Sequence, residues 1–287
     1  MGQDLYEALY YKKLEGQSVQ CMLCPKYCVI KPENSGFCRA RKNISGKLYS
    51  MIYGKTTSIA LDPIEKKPLY HFHPHELILS VGTRGCNLGC IFCQNWHISQ
   101  NPEAYLQSIT SGQIIQQAQR SGSFGIAYTY NEPFIWYEFI LETAKLARKN
   151  KLENVLVTNG YVNKGPLEEI LPFIAAMNID LKSIEEEFYK DICKGTLNPV
   201  LEMIKRAKKD CHVEITNLII PTLNDSDEQI QKLSSWIADN AGADTPLHLS
   251  RYFPCYELTQ PPTPIETLEK AGELAKKKLK YVYLGNV

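Results

Sequence analysis

Residues 77–96 read LILSVGTRGCNLGCIFCQNW. The first six form an apolar run that ends in glycine, the mark of a buried strand stopping at a turn. The loop after it carries Cys86, Cys90 and Cys93 in the spacing C-x3-C-x2-C. Three thiolates in one short loop suit one iron–sulfur cube. A [4Fe–4S] cluster normally takes four cysteines, so three leave one iron open to bind a small molecule. Two other readings compete. His97 lies shortly after Cys93 and would complete a Cys3His zinc site, although structural zinc sites usually come as two separated ligand pairs. A disulfide would pair two of the three and strand the third, and the start, MGQDLYEALYYKK, lacks the apolar stretch of a secretory signal.

Outward from this loop the chain alternates. Thr110-Ser111 can cap a helix through Arg120. Strands are expected at 125–130, 154–159, 177–181, 212–220, 246–250 and 281–284. Helices are expected at 134–149, 164–174, 198–209, 226–240 and 264–279. Short apolar strands alternating with helices predict an α/β fold, a parallel sheet with helices outside. Six or so βα units fit a partial, (β/α)6-type, TIM-like barrel. Its chemistry should gather at the C-terminal strand ends. Polar groups recur there. The three cysteines follow the first strand, Glu132 follows the second, Thr158, Asn159 and Gly160 end the third, and Asp180 and Lys182 end the fourth. Each motif alone reads equally as a turn; the series in register reads as a barrel mouth.

On these residues the chain resembles the radical S-adenosylmethionine (SAM) enzymes, whose signature is C-x3-C-x2-C. The resemblance implies that the amino and carboxylate groups of SAM chelate the open iron. It also implies that an electron from the reduced cluster releases a 5′-deoxyadenosyl radical, and that an external donor such as flavodoxin or ferredoxin supplies the electron. Thr129-Tyr130-Asn131-Glu132-Pro133 resembles the motif with which the pyruvate formate-lyase activating enzyme group holds the SAM amino group. This chain has Tyr130-Asn131 where many relatives have Gly-Gly. Asp180-Leu181-Lys182 resembles that group's SAM-carboxylate motif, and Thr158-Asn159-Gly160 its T-N-G segment. The activating enzymes often carry an aspartate before T-N-G that helps hold a monovalent cation; here it is Val157. CMLCPKYCVI (21–30), SGFCRARKN (35–43), LDPIEKKPLYHF (61–72), AYTYNEP (127–133) and HLSRYFP (248–254) together resemble the radical SAM member of the AmmeMemoRadiSam system.

Residues 1–75 read as a small Cys-rich module and 76–287 as the radical SAM barrel. In the module Cys21, Cys24, Cys28 and Cys38 are spaced to close a tetrahedral zinc site or to hold an auxiliary iron–sulfur cluster, unless they are free thiols. His71, His73 and His75 alternate and would share one face of a strand, a possible metal site that Pro74 interrupts. Asp62, Glu65, Lys66 and Lys67 either grip a substrate or form a solvated turn. His248, Ser250, Arg251 and Tyr252 are expected to leave the sixth strand toward the mouth, with Arg251 as a candidate anchor for a substrate carboxylate or phosphate. Cys193, Cys211 and Cys255 read as buried or incidental; Cys255 falls near the expected mouth.

The chain has 287 residues, 44% hydrophobic and 22% charged, with a net charge of +1. That balance gives no argument for nucleic acid or membrane partners. Ten cysteines without a signal segment point to metal or redox chemistry in the cytoplasm. The reading is therefore an oxidoreductase that cleaves SAM and abstracts hydrogen from a small molecule, peptide or protein. Activation of a glycyl radical enzyme is the alternative. An electron-transfer protein or a zinc-stapled binding module is the alternative of another class, but neither needs Glu132 or the Asp180–Lys182 pair.

Overall fold

The computed structural model describes residues 5–287. Eight strands form one sheet: β1 Ser58–Pro63, β2 Leu77–Gly82, β3 Gly125–Tyr128, β4 Glu153–Thr158, β5 Ala176–Asp180, β6 His212–Ile219, β7 Leu247–Arg251 and β8 Val282–Gly285. They lie in chain order across the sheet. Neighbours from β2 to β8 are parallel and β1 is antiparallel to β2. The edge strands β1 and β8 do not pair, so the barrel is open.

Six longer helices connect the parallel strands, α1 Ser111–Arg120, α2 Tyr137–Lys149, α3 Lys164–Ile170, α4 Asn198–Ala207, α5 Asp227–Ala241 and α6 Ile265–Lys276, with two short ones, Trp96–Ser99 and Glu186–Asp191, in the same connections. This is the expected (β/α)6 arrangement. Thr110 and Ser226 each start a helix with a reciprocal capping box, through Gln113 and Gln229, which satisfies donors the first turn leaves open. The central strands β3 and β5 are buried almost throughout, as parallel strands covered on both faces must be. Among the described residues, no helix is long and apolar enough to cross a membrane.

Two short three-stranded sheets precede the barrel. One orders Tyr6–Glu7, Lys47–Ser50 and Arg41–Ile44; the other orders Tyr11–Lys13, Val19–Cys21 and Val29–Ile30. The structure departs from the sequence reading after them. Residues 58–75, expected in the module, belong with the barrel. Ser58–Pro63 pairs along its whole length with Leu77–Gly82. The segment after it then fills the barrel's N-terminal end, where Ile64 and Leu69 pack on Ile78, Ala127, Val155 and Ala176, with Phe72 against them. Charged residues in LDPIEKKP mask this edge strand, whose residues are half-buried or exposed rather than a buried apolar run.

Candidate active site

With its N-terminal end plugged, the barrel opens at the C-terminal strand ends into a cavity of about 340 Å³. The cysteine loop leaves β2 at Gly82, where a side chain has no room: a Cβ would lie 2.6 Å from the Thr129 carbonyl oxygen. Cys86, Cys90 and Cys93 all line the cavity, together with Tyr130, Asn131, Glu132, Asn159, Asp180 and Lys182. The strand-end series therefore converges. Thr158 stands behind the wall, buried, with its hydroxyl donating to Glu132 Oε1 at 2.8 Å.

Glu132 is 2% exposed. It also accepts from Phe134 N at 3.0 Å and from Asn159 N at 2.8 Å. Burial pushes its carboxyl up to about 7 despite these donors. The Asn159 amide donates to Asn87 Oδ1 at 2.9 Å and reaches Cys86 Sγ at 3.6 Å. Leu88 N lies 3.4 Å from the same sulfur, and the Ser99 hydroxyl lies 3.1 Å from Cys93 Sγ. Asp180 and Lys182 pair at 3.0 Å. Val157 also lines the cavity.

Asn131 lines the cavity with its amide already engaged. Its Oδ1 accepts from Thr83 N at 3.1 Å and its Nδ2 donates to the Gly85 carbonyl at 2.9 Å. The amide is committed to bracing the cysteine loop. Tyr130, where relatives have glycine, sits at φ 72°, a conformation that costs a bulky residue about 1–2 kcal/mol. Its carbonyl accepts from Asn95 Nδ2 at 2.7 Å and its hydroxyl donates to Asp62 at 3.1 Å. These bonds hold it there.

Several expectations are corrected. Arg251 does not line the cavity. Strand alternation turns Ser250 inward and Arg251 away, where its Nε donates to the Thr263 carbonyl at 2.7 Å. His248 points to Glu214 at 2.6 Å, not to the mouth. His71, His73 and His75 share no strand face, because positive φ at His73 and His75 breaks the extended run. His71 reaches Tyr283 at 2.7 Å, while His73 stacks on Phe124. His97 is exposed, and among the described residues no three Cys, His, Asp or Glu side chains converge on one ion position.

The sequence reading missed some neighbours and left others open. Lys66 and Lys67 line the cavity, and Lys67, 3% exposed, pairs with Asp62 at 2.8 Å. Of the four charged residues in DPIEKKP, Asp62 and Glu65 do not line the cavity. Cys193, read as buried or incidental, is buried, and beside Cys90: hydrogen bonding to Cys193, with burial, pushes the Cys90 thiol well up. Backbone bonds from Gly89 to Cys193 (2.8 Å) and from Ile91 to Ile192 (3.2 Å) hold this segment under the loop. Cys255, which the sequence placed near the mouth, donates to the Cys93 carbonyl at 3.6 Å. Only proximity in space, not spacing along the chain, could have found Cys193.

Burial, joined by the Glu132 charge, pushes the Cys86 thiol well up. Metal-free, these sulfurs are thiols; a metal centre supplies the positive charge that makes them ligands. Three sulfurs, two of them (Cys86 and Cys93) with donors of their own, an apolar surround of Leu88 and Phe92, and open space beyond fit a cluster with one free iron.

An open parallel barrel with a three-cysteine loop at its mouth defines a class of cluster enzymes. The Radical SAM superfamily matches residues 80–237, more than half of the chain, and the chain belongs to it. That family uses a [4Fe–4S] cluster and SAM. An uncharacterized protein of Methanocaldococcus jannaschii is 50% identical over 286 residues, 98% of this chain and 85% of its own. The pyruvate formate-lyase-activating enzyme of Clostridium pasteurianum is 27% identical over 165 residues, covering 54% of this chain and 66% of its own. Among solved structures, Streptococcus suis SuiB bound to S-adenosylmethionine aligns with a TM-score of 0.58 at 15% identity, over 73% of this chain and 52% of its own.

Proposed function

We propose that this chain cleaves SAM reductively at a [4Fe–4S] cluster held by Cys86, Cys90 and Cys93, and abstracts hydrogen from a peptide, protein or small molecule. The carrying observation is that the three cysteines, Glu132, Asn159, Asp180 and Lys182 line one cavity at the C-terminal strand ends. When bound, cluster and SAM supply a 5′-deoxyadenosyl radical. The chain's own part is positioning. Glu132 takes the SAM ammonium, its carboxylate held in place by Thr158 and Asn159. The Asp180–Lys182 pair, in the same cavity lining, would take the SAM carboxylate. Asn131 and Asn95 fix the loop against β3. Leu88, Phe92 and Leu218 keep water from the reacting carbon. Lys66 and Lys67 offer cationic contacts to an acidic substrate group, the role the sequence had suggested for Arg251.

The chain is assigned to the AmmeMemoRadiSam system on its whole set of motifs. Ten unpaired cysteines support a cytoplasmic setting with an electron donor such as flavodoxin or ferredoxin. The test is anaerobic: reconstituted protein, dithionite and SAM should yield 5′-deoxyadenosine, and the Cys86→Ala/Cys90→Ala/Cys93→Ala variant none. Equal rates in the two would overturn the reading, and methylthioadenosine as product would overturn its chemistry.

A second reading, activation of a glycyl radical enzyme, is favoured by the likeness to pyruvate formate-lyase-activating enzyme. Val157 and Tyr130 depart from that group. A stoichiometric glycyl doublet in electron paramagnetic resonance, after incubation with a glycyl radical enzyme of the same organism, would establish it.

A further inference from the structure

Four cysteines stand outside this site. Cys21 closes the strand Val19–Cys21, Cys24 and Cys28 lie in the turn before Val29–Ile30, and Cys38 precedes Arg41–Ile44. All four line one small cavity, with Arg41 and Asn87 in its wall. Each sulfur has its own N–H donor. Phe37 N donates to Cys28 Sγ at 3.5 Å and Arg41 Nη1 to Cys21 Sγ at 3.9 Å. The backbone N–H groups of Lys26 and Ala40 point at Cys24 and Cys38. Such donors favour thiolates over thiols, although burial pushes the Cys24 and Cys38 thiols up overall. Arg41 is 1% exposed and its Nε has no partner among the described residues. The charge of Arg41 is met by Glu138, so what it offers the sulfurs is the Nη1–H bond to Cys21. Four thiolates give about −2 around either Zn²⁺ or an oxidised [4Fe–4S] cube.

Geometry separates the two occupants. A zinc–sulfur bond of about 2.3 Å draws the four sulfurs to within ~3.8 Å of one another. No three of these side chains converge on one ion position, and the same is true of Cys86, Cys90 and Cys93 in a family that uses a four-iron cube. A cube spreads its thiolates; an ion gathers them.

We propose that Cys21, Cys24, Cys28 and Cys38 hold a second [4Fe–4S] cluster that relays electrons to the one at the barrel mouth. The path is short. A Cβ on Gly85 would lie 2.4 Å from the Cys38 carbonyl oxygen, so the residue before Cys86 packs directly on Cys38. Asn87 lines the four-cysteine cavity, while its Oδ1 accepts from the Asn159 amide that also reaches Cys86. In the relay a low-potential one-electron donor of the flavodoxin or ferredoxin class reduces the N-terminal cluster from 2+ to 1+. That cluster passes the electron on and returns to 2+, with no bond made or broken.

The relay rests on the proposed SAM chemistry; the second cluster does not. The test therefore uses metal content first. The Cys86→Ala/Cys90→Ala/Cys93→Ala variant, reconstituted anaerobically, should hold about four irons and four sulfides per chain, and the intact protein about eight irons. Stoichiometric zinc in either protein, or a metal-free variant, overturns the second cluster. For the relay, both proteins are reduced and compared by electron paramagnetic resonance. The N-terminal cluster's lines should be broader in the intact protein, where a second paramagnet lies next to it. Unchanged line width overturns the relay.

Discussion

Glu132 and Asn131 are neighbours in sequence, and they divide two tasks that the motif TYNEP runs together. Burial holds the Glu132 carboxyl at about 7, above the ordinary carboxylate range. Ionisation therefore costs folding energy as pH rises from the ordinary value through 7, and a bound cation recovers it. We expect SAM affinity to fall from about pH 8 to about pH 6 as this group takes up a proton. Glu132→Gln should lose that pH dependence and bind SAM more weakly while keeping its iron. It should also lose ~1–3 kcal/mol of stability, because an amide nitrogen then faces one of three donors. Isothermal titration at both pH values, with an iron assay, decides this; identical affinities in both proteins would remove Glu132 from the SAM site. Asn131→Ala is expected to do the reverse. It frees Thr83 N and the Gly85 carbonyl, so the cysteine loop should retain iron poorly under mild chelation. Iron retention equal to that of Glu132→Gln would show that the brace is dispensable. At this scale the sequence revealed residue types and positions but not duties, because a side-chain amide that binds SAM and one that binds backbone look alike in a motif.

Among the elements, the strands were legible because parallel strands buried on both faces are short, apolar and evenly spaced. The plug between β1 and β2 was not. Its segment from Ile64 to Glu76 has no periodicity, and its contacts are to the far ends of other strands. Glu214, near the start of β6 and fully buried, anchors it. It accepts from Tyr70 N (3.0 Å), His71 N (2.7 Å), His212 (2.9 Å) and His248 (2.6 Å). Burial alone would raise this carboxyl, but the hydrogen bonds from His212, His248 and the two backbone N–H groups outweigh it and hold it at about 2. Its folded value lies below the unfolded one. The stabilisation is therefore complete above about pH 4.5 and lost as pH falls toward 2, amounting to ~3 kcal/mol. Glu214→Gln should show a smaller loss of stability between about pH 6 and about pH 3 in urea denaturation. A pH profile identical to that of the parent would mean that the plug is held by its apolar packing and its other hydrogen bonds instead.

For the whole molecule, the question is how the Cys-rich module sits on the barrel, and sequence patterns carry nothing about that. The answer lies in polar groups far apart in the chain. Arg41 pairs with Glu138 on α2, both side chains 1% exposed. Leu9 N donates to the same carboxylate at 2.8 Å, and Arg41 donates back to the Leu9 carbonyl at 2.7 Å. Trp136 Nε1 reaches the Ile52 carbonyl at 2.7 Å, and Tyr10 and Tyr137 share Glu169 at 2.6 and 2.8 Å. One continuous apolar core runs through both parts. A buried ion pair gains little over an apolar pair of the same shape, but breaking it from one side strands a charge and costs ~3–5 kcal/mol. Arg41→Met and Glu138→Leu should each cost about that much, and the double variant far less than their sum. Denaturation of all four proteins closes the cycle. Additive losses would mean that the two charges act separately and that the module is held by its apolar contacts. Arg41→Met removes, in addition, the guanidinium beside Cys21, so it should lose iron from the N-terminal set while Glu138→Leu keeps it. That difference separates the docking role of the pair from the role of Arg41 at the four-cysteine cavity.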